Sequence, residues 1–226
     1  MRKNPIIVAL DVASAREAMN LVRQLGDAVA MYKVGLELYA AAGRAFVEEL
    51  RAEGRGVFLD LKYYDIPETV KRATAQVAGM GVDLLTIHAS FSVMRGAVEG
   101  RAQSGLRLLG VTVLTSFDQH DLDDLGTSKS VAELVEQRAL KAREAGMDGI
   151  VCSPLETAAM RRMLGPGTLL VVPGIRSAGV EAGDQKRIAT PRQAMDAGAS
   201  YLVIGRQITR ASDPQAEAMK ILEEIG

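Results

Sequence analysis

The stretch Val57-Phe58-Leu59-Asp60-Leu61-Lys62-Tyr63-Tyr64-Asp65-Ile66-Pro67 is an apolar run that ends in three charged residues. Val57 to Lys62 reads as a strand. Side chains alternate faces along a strand, so Val57, Leu59 and Leu61 point one way and Phe58, Asp60 and Lys62 the other. A carboxylate and an ammonium then share one face, about 6–7 Å apart along the strand at a rise of about 3.3 Å per residue. Asp65 follows where the chain turns out of the strand. Taking charges out of water is costly unless they are paired. An apolar strand that ends in Asp60, Lys62 and Asp65 therefore marks a candidate active site.

Outward from this stretch, short β-rich runs alternate with longer stretches of helical character. Strands are predicted at Ile6–Asp11, Ala30–Val34, Val57–Lys62, Asp83–Ala89, Arg107–Thr115, Gly149–Ser153, Leu169–Gly174 and Tyr201–Gly205. Helices are predicted near 15–25, 38–53, 67–79, 91–103, 130–145, 155–164, 191–197 and 214–225. Ser14 with Glu17 forms a capping box, and Ser153-Pro154-Leu155-Glu156, Thr190-Pro191-Arg192-Gln193 and Asp213-Pro214 place proline at a first helical position. Ala18, Leu21, Val22 and Leu25 give the first helix one apolar stripe, as Ala218, Ile221, Leu222 and Ile225 give the last. Eight βα units in 226 residues predict an α/β fold of the (β/α)8 TIM-barrel class, one domain over residues 1–226. A doubly wound open sheet shares the alternation. The count of eight and the lack of a Gly-x-Gly-x-x-Gly after the first strand favour the barrel.

Hydrophobic content of 48% with 24% charged residues suits a globular chain with a substantial core. The net charge of −1 supplies no basic field, so nucleic acid is not an expected partner. The single cysteine, Cys152, lies in an apolar stretch; it reads as buried and inert, and fits a reducing cytoplasm. The N-terminal apolar run is too short for a signal peptide or a membrane span.

In a barrel of this class the active site sits at the C-terminal ends of the strands. Polar residues fall at nearly every such exit: Asp11, Lys33, Asp60 with Lys62, His88, Thr115-Ser116, Ser153, Pro173-Gly174-Ile175-Arg176 and Gly205-Arg206. Lysines on two adjacent apolar strands exceed what solubility demands. The loops after the seventh and eighth strands are the usual phosphate site. Here they carry Gly174, Arg176, Gly205 and Arg206, glycines for close backbone approach and arginines for bidentate pairing. The long Arg176–Ala189 stretch is expected to act as a lid. The stretch Phe117–Ser130, with Asp118, Asp121, Asp123 and Asp124, reads as a solvated loop rather than a metal site. His88 reads as a hydrogen-bonded residue beside the charged cluster or as a direct participant. No His/Cys cluster suggests zinc, and Lys62 already supplies positive charge where a magnesium ion would sit between Asp60 and Asp65.

At these residues the chain closely resembles the orotidine 5′-phosphate decarboxylase family. The resemblance spans the whole chain. It rests on Val8-Ala9-Leu10-Asp11, Lys33-Val34-Gly35, Phe58-Leu59-Asp60-Leu61-Lys62, Asp65-Ile66-Pro67-Glu68-Thr69, Thr112-Val113-Leu114-Thr115-Ser116, Pro173-Gly174-Ile175-Arg176 and Ile204-Gly205-Arg206. Tyr63-Tyr64 replaces the more usual Phe-His pair, and Glu68 stands where Asn is frequent. The resemblance implies a cytoplasmic enzyme of UMP biosynthesis that needs no cofactor or metal. It implies that Lys33, Asp60, Lys62 and Asp65 form a network of alternating charge, with Lys62 as the proton donor. Asp11 and Lys33 are expected on the ribose hydroxyls and Thr115 and Ser116 by the pyrimidine. Pro173, Arg176, Gln185, Gly205 and Arg206 are expected around the phosphate. A homodimer is implied, in which Asp65, with Ile66 and Thr69 beside it, reaches the partner's site. The competing readings are a magnesium-dependent sugar-phosphate enzyme sharing the Asp-x-Lys-x-x-Asp motif, and a non-catalytic phosphate-ligand sensor.

Overall fold

Ile7 lies opposite Met31 on one side and Val203 on the other, so the first strand bonds to both the second and the last and the sheet closes on itself. The computed structural model describes residues 4–180 and 187–226. In chain order the elements begin with β1 (Ile6–Ala9), α1 (Ala15–Leu25), β2 (Met31–Gly35), α2 (Leu36–Ala52), β3 (Gly56–Tyr63), α3 (Pro67–Ala78), β4 (Leu84–His88) and α4 (Phe91–Arg101). They continue with β5 (Arg107–Val111), α5 (Gln119–Asp124), α6 (Val131–Ala145), β6 (Gly149–Val151), α7 (Pro154–Leu164) and β7 (Leu169–Val172). The last four are α8 (Pro191–Asp196), β8 (Tyr201–Ile204), α9 (Arg206–Thr209) and α10 (Pro214–Ile225). All neighbouring strands are parallel, and their order β1 to β8 forms a closed barrel, which excludes the open sheet. Among the described residues no helix is long and apolar enough to cross a membrane.

Six of the eight strands stop earlier than their sequence suggests, whereas β2 and β3 each run one residue further. β5 ends at Val111 rather than Thr115, and β7 at Val172 rather than Gly174. Apolar character continues past the last ladder bond because those residues still line the barrel mouth. Two short helices were not anticipated. Asp118 caps α5 by accepting from the His120 and Asp121 backbones, so part of the acidic stretch is helical rather than loop. α9 follows Gly205 directly. Cys152 is buried, and burial pushes its thiol pKa up to about 12, as expected of an inert cysteine.

Period-two alternation sorts the strands into two layers. Val57, Leu59 and Leu61 join the shell between barrel and helices, while Phe58 joins Ile7, Met31, Leu84, Leu109 and Val171 in a separate interior cluster. That interior plug is the floor on which the site stands.

The opposite, N-terminal end carries an internal repeat that the sequence conceals. Asp83 accepts from the Val57 N–H at 2.8 Å and from Arg51 at 2.9 Å. Asp148 does the same for the Leu108 N–H at 2.7 Å and for Arg101. Ser200 does so for the Leu170 N–H at 3.0 Å and for Arg161 at 3.1 Å. In each case the residue lies just ahead of an even-numbered strand and ties back the preceding odd strand and the helix before it. Because the acceptor is Asp twice and Ser once, no repeated motif reveals it.

Helices α3 and α4 approach more closely than side chains permit. A Cβ at Gly96 would collide with the Pro67 carbonyl, and one at Gly100 with that of Lys71. Both glycine and partner are spaced by four, so two ridges fit groove to groove over one helical turn. This contact fixes the start of α3, where Asp65 enters. Gly100→Ala is expected to destabilise the fold by about 1–3 kcal/mol, the usual cost of overpacking. Denaturant unfolding measures it, and an unchanged midpoint would show that α3 can shift without cost.

Candidate active site

Directly above the interior plug, the same strand faces turn polar. Met31 is followed inward by Lys33, Phe58 by Asp60, and Leu84 by Thr86 and then His88. A cavity of about 880 Å³ opens there, at the C-terminal ends of the strands, lined by Asp11, Lys33, Asp60 and Lys62 on one side and Arg176 and Arg206 on the other.

Asp60 is the hub of the first side. Its Oδ1 lies 2.9 Å from Lys62 Nζ and accepts from the Thr86 hydroxyl at 3.0 Å, while Oδ2 lies 3.8 Å from Lys33 Nζ. Lys33, only 8% exposed, also pairs with Asp11 at 2.8 Å. Gly35 makes room for that pair, since a Cβ there would sit 2.9 Å from Lys33 Nζ. Burial pushes the Asp60 carboxyl pKa up, but Lys33 and Lys62, with the Lys62 and Thr86 hydrogen bonds, outweigh it and hold the group below its ordinary value.

The regular pleat does not run through Lys62. The β3–β4 register shifts between Leu59 and Tyr63, and Lys62 has φ of +47°. A non-glycine residue rarely adopts this left-handed conformation, which costs of order 1 kcal/mol and persists only where neighbours enforce it. Thr86 does so, because its hydroxyl oxygen accepts from the Lys62 N–H at 2.9 Å while donating to Asp60. The bulge re-aims the ammonium so that it meets the carboxylate directly rather than standing two pleats away. Thr86 was missed by the sequence reading; the alternation Leu84, Thr86, His88 on one face was the available signal.

At the other side, Arg176 is 8% exposed, and burial together with the neighbouring positive charge of Arg206 lowers its guanidinium pKa. Pro173, Gly174 and Gly205 line the same end, and Thr115 and Ser116 line the wall between, beyond the end of β5. Behind that wall Arg187, also unforeseen, pairs with Glu156 in a mostly buried bridge and donates to the Leu114 carbonyl at 2.8 Å. Gln185 lies outside the described residues, as does the part of the Arg176–Ala189 lid expectation that rests on 181–186.

Asp65 is not brought to this cluster. It is exposed on the rim, where its Oδ1 accepts from the Ile66 N–H at 2.6 Å. Ile66 and Tyr64 are 66% and 69% exposed, and Thr69 sits half-buried in the first turn of α3. His88, half-buried, meets Tyr64 edge-on at 5.4 Å between ring centroids. Burial, then the positive charges of Arg138 and Lys62, lower its pKa from the ordinary 6.5 against the opposing pull of Asp60.

A barrel with a charged hub at one end of its mouth and an arginine pair at the other defines an enzyme site for a small anionic substrate. Residues 4–221 match the model of the Orotidine 5'-phosphate decarboxylase / HUMPS family. The chain is 51% identical to an orotidine 5'-phosphate decarboxylase of Methylobacterium sp. (strain 4-46), covering 99% of this chain and 96% of that one. It is 49% identical to one from Nitrobacter winogradskyi, covering 100% and 94%. A crystal structure of the Lactobacillus acidophilus orotidine 5'-phosphate decarboxylase superposes with a TM-score of 0.88 at 35% identity, covering 99% and 100%. The chain belongs to this family and is a carboxy-lyase.

Because folded His88 resists the proton that the unfolded chain accepts near pH 6.5, it contributes stability that is present above that value and lost as pH falls. Asp60, with its depressed pKa, loses its contribution only below its ordinary value of 3.8. The Tm is therefore expected to fall from about pH 7.5 to about 5.5, and to fall less in His88→Gln. Parallel Tm–pH curves for the two proteins would remove His88 as the cause.

Proposed function

We propose that this chain converts orotidine 5′-phosphate to UMP and CO2 without metal or cofactor, as a cytoplasmic homodimer in de novo pyrimidine biosynthesis. The observation that carries the proposal is the Asp60 carboxylate held between two ammonium groups, across a cavity from an arginine pair. The family also holds sugar-phosphate enzymes that use a magnesium ion. A divalent cation fits poorly here, since Lys33 and Lys62 already occupy both oxygens of Asp60.

Loss of CO2 breaks the bond from C6 of the pyrimidine and leaves its electron pair on a vinylic carbon with no adjacent carbonyl to delocalise it. Lys62 stabilises that developing charge through its ammonium and then transfers a proton to C6, forming the C–H bond; the resulting amine recovers a proton from solvent. Asp60 faces the departing carboxylate and keeps Lys62 in place. Lys33 and Asp11 bind ribose hydroxyls, and Thr115 and Ser116 flank the pyrimidine. Pro173, Arg176, Gln185, Gly205 and Arg206 hold the phosphate, whose binding energy is spent far from the reacting carbon on orienting it and excluding water.

The exposed Tyr64-Asp65-Ile66 rim supports a dimer in which each Asp65 enters the partner's cavity beside Lys62, with Ile66 and Thr69 alongside. The closed tertiary arrangement within one subunit leaves Asp65 outside its own cavity.

Loss of orotidine 5′-phosphate absorbance with CO2 release, in excess chelator, is the direct assay. Turnover is expected to persist in chelator and to fall by at least about 10³-fold in Lys62→Ala, which still binds UMP. Magnesium-dependent turnover would move the assignment to the sugar-phosphate relatives. Arg206→Ala is expected to lower kcat/KM by about 10–100-fold with little change in Tm, the worth of one charge-assisted phosphate contact. Equal mixing of inactive Lys62→Ala and Asp65→Ala chains, after dissociation and reassociation, should restore roughly a quarter of wild-type activity if a two-fold dimer shares its sites. No recovery would remove Asp65 from the partner's site.

A further inference from the structure

The two arginines at the phosphate end are each followed by a residue that bonds to the other's neighbour. Ser177, after Arg176, donates its backbone N–H to Gln207 Oε1 at 3.0 Å. Gln207, after Arg206, donates from Nε2 to Ser177 Oγ at 2.8 Å and to Glu217 Oε1 at 2.8 Å. The Ser177 hydroxyl in turn donates to Glu224 Oε2 at 2.9 Å. Every polar atom of the Gln207 amide is thereby engaged. Its orientation follows from the chemistry, because a backbone N–H can only donate and so must face the amide oxygen.

The loop after β7 and the start of α9 carry like charges that repel across the cavity end. The described contacts of Arg176 are to its own loop: Nη1 donates to the Ile175 carbonyl at 2.7 Å, and its N–H donates to the Ala189 carbonyl at 3.0 Å. The Ser177–Gln207 pair crosses between the two loops, and both its ends are moored to Glu217 and Glu224, seven residues apart on α10. A half-buried network of this kind is cooperative, so deleting one member loosens the rest.

We propose that Gln207 and Ser177 are positioning residues that hold the Arg176 and Arg206 loops at the separation of a phosphate dianion, with α10 as the anchor. The proposal rests on the reading of this site as the nucleotide 5′-phosphate site. Neither side chain touches the substrate; their effect passes entirely through the arginines. Binding of the phosphate then requires no further work to bring two cations together, because the fold has already done it.

The test compares wild type, Gln207→Ala and Glu224→Gln in steady-state turnover of orotidine 5′-phosphate, with competitive inhibition by UMP and by uridine and a Tm for each protein. Gln207→Ala is expected to raise KM and the UMP Ki together by about tenfold, with the uridine Ki unchanged. Glu224→Gln, a conservative change on α10, is expected to raise the same two constants by about two- to threefold. A general loosening of the barrel would instead lower Tm and raise the uridine Ki in step with that of UMP, and this overturns the proposal. Unchanged KM in Glu224→Gln overturns it also if Gln207→Ala does not fold. Wild type without turnover or UMP binding removes the underlying functional reading, and the inference with it, whereas an active wild type matched by both variants removes the inference alone.

Discussion

A carboxylate at the mouth of an apolar barrel cannot stand there alone. Asp60 is mostly withdrawn from water, and an uncompensated buried charge costs several kcal/mol. Its ionised state is kept by two ammonium groups and a hydroxyl brought from three strands, Lys33 on β2, Lys62 on its own β3 and Thr86 on β4. That requirement reaches outward into the fold. Gly35 must lack a side chain so that Lys33 can meet both Asp11 and Asp60, and β3 must bulge so that Lys62 can turn back toward the carboxylate. The positive φ of Lys62 is strain at this hub, offset by the Thr86 hydrogen bond beside it.

The cavity has two ends with opposite electrostatic problems. At the hub, opposite charges already neutralise one another and little is gained from a ligand's charge. At the arginine end, like charges are held close and gain strongly from an anion. On the proposed function, a substrate that carries both a phosphate and a carboxylate sets the phosphate on the arginines, which leaves the carboxylate toward Asp60 and Lys62. In that proposed orientation the phosphate contacts offset the repulsion between the carboxylate and Asp60. Rigidity on the N-terminal side suits this division, since the Asp83, Asp148 and Ser200 ties fix the barrel floor while the opposite end is left to chemistry.

Much of this was legible along the chain. Alternation separated Phe58, Asp60 and Lys62 from Val57, Leu59 and Leu61, and the folded chain keeps Phe58 apart from Val57, Leu59 and Leu61, while the bulge re-aims Lys62. Eight strand–helix units forecast the barrel, and a barrel forecasts that strand exits share one mouth. Hence Asp11, Lys33, Asp60, Lys62, Thr115, Ser116, Arg176 and Arg206 were all named, and all line one cavity. Strand ends were overextended at β5 and β7 because hydrophobic runs continue past the last ladder bond into the cavity wall. The helix α5 was hidden in an acidic stretch whose capping aspartate reads equally well as a loop residue.

Local sequence determines what each residue does to its own neighbourhood: which face a side chain takes, where a helix is capped, where an apolar run must be buried. Those effects act over a few residues, and they gave the barrel and the membership of its mouth. Pairing between distant segments is another matter, because the partner is chosen by closure of the whole sheet. Only the tertiary structure set Thr86 under both Asp60 and the Lys62 N–H, joined Ser177 to Gln207, buried Arg187 against Glu156, and left Asp65 on the rim rather than beside Lys62. A hydrogen bond has a reach of about 3 Å, and no spacing along the chain can say which two segments come within it.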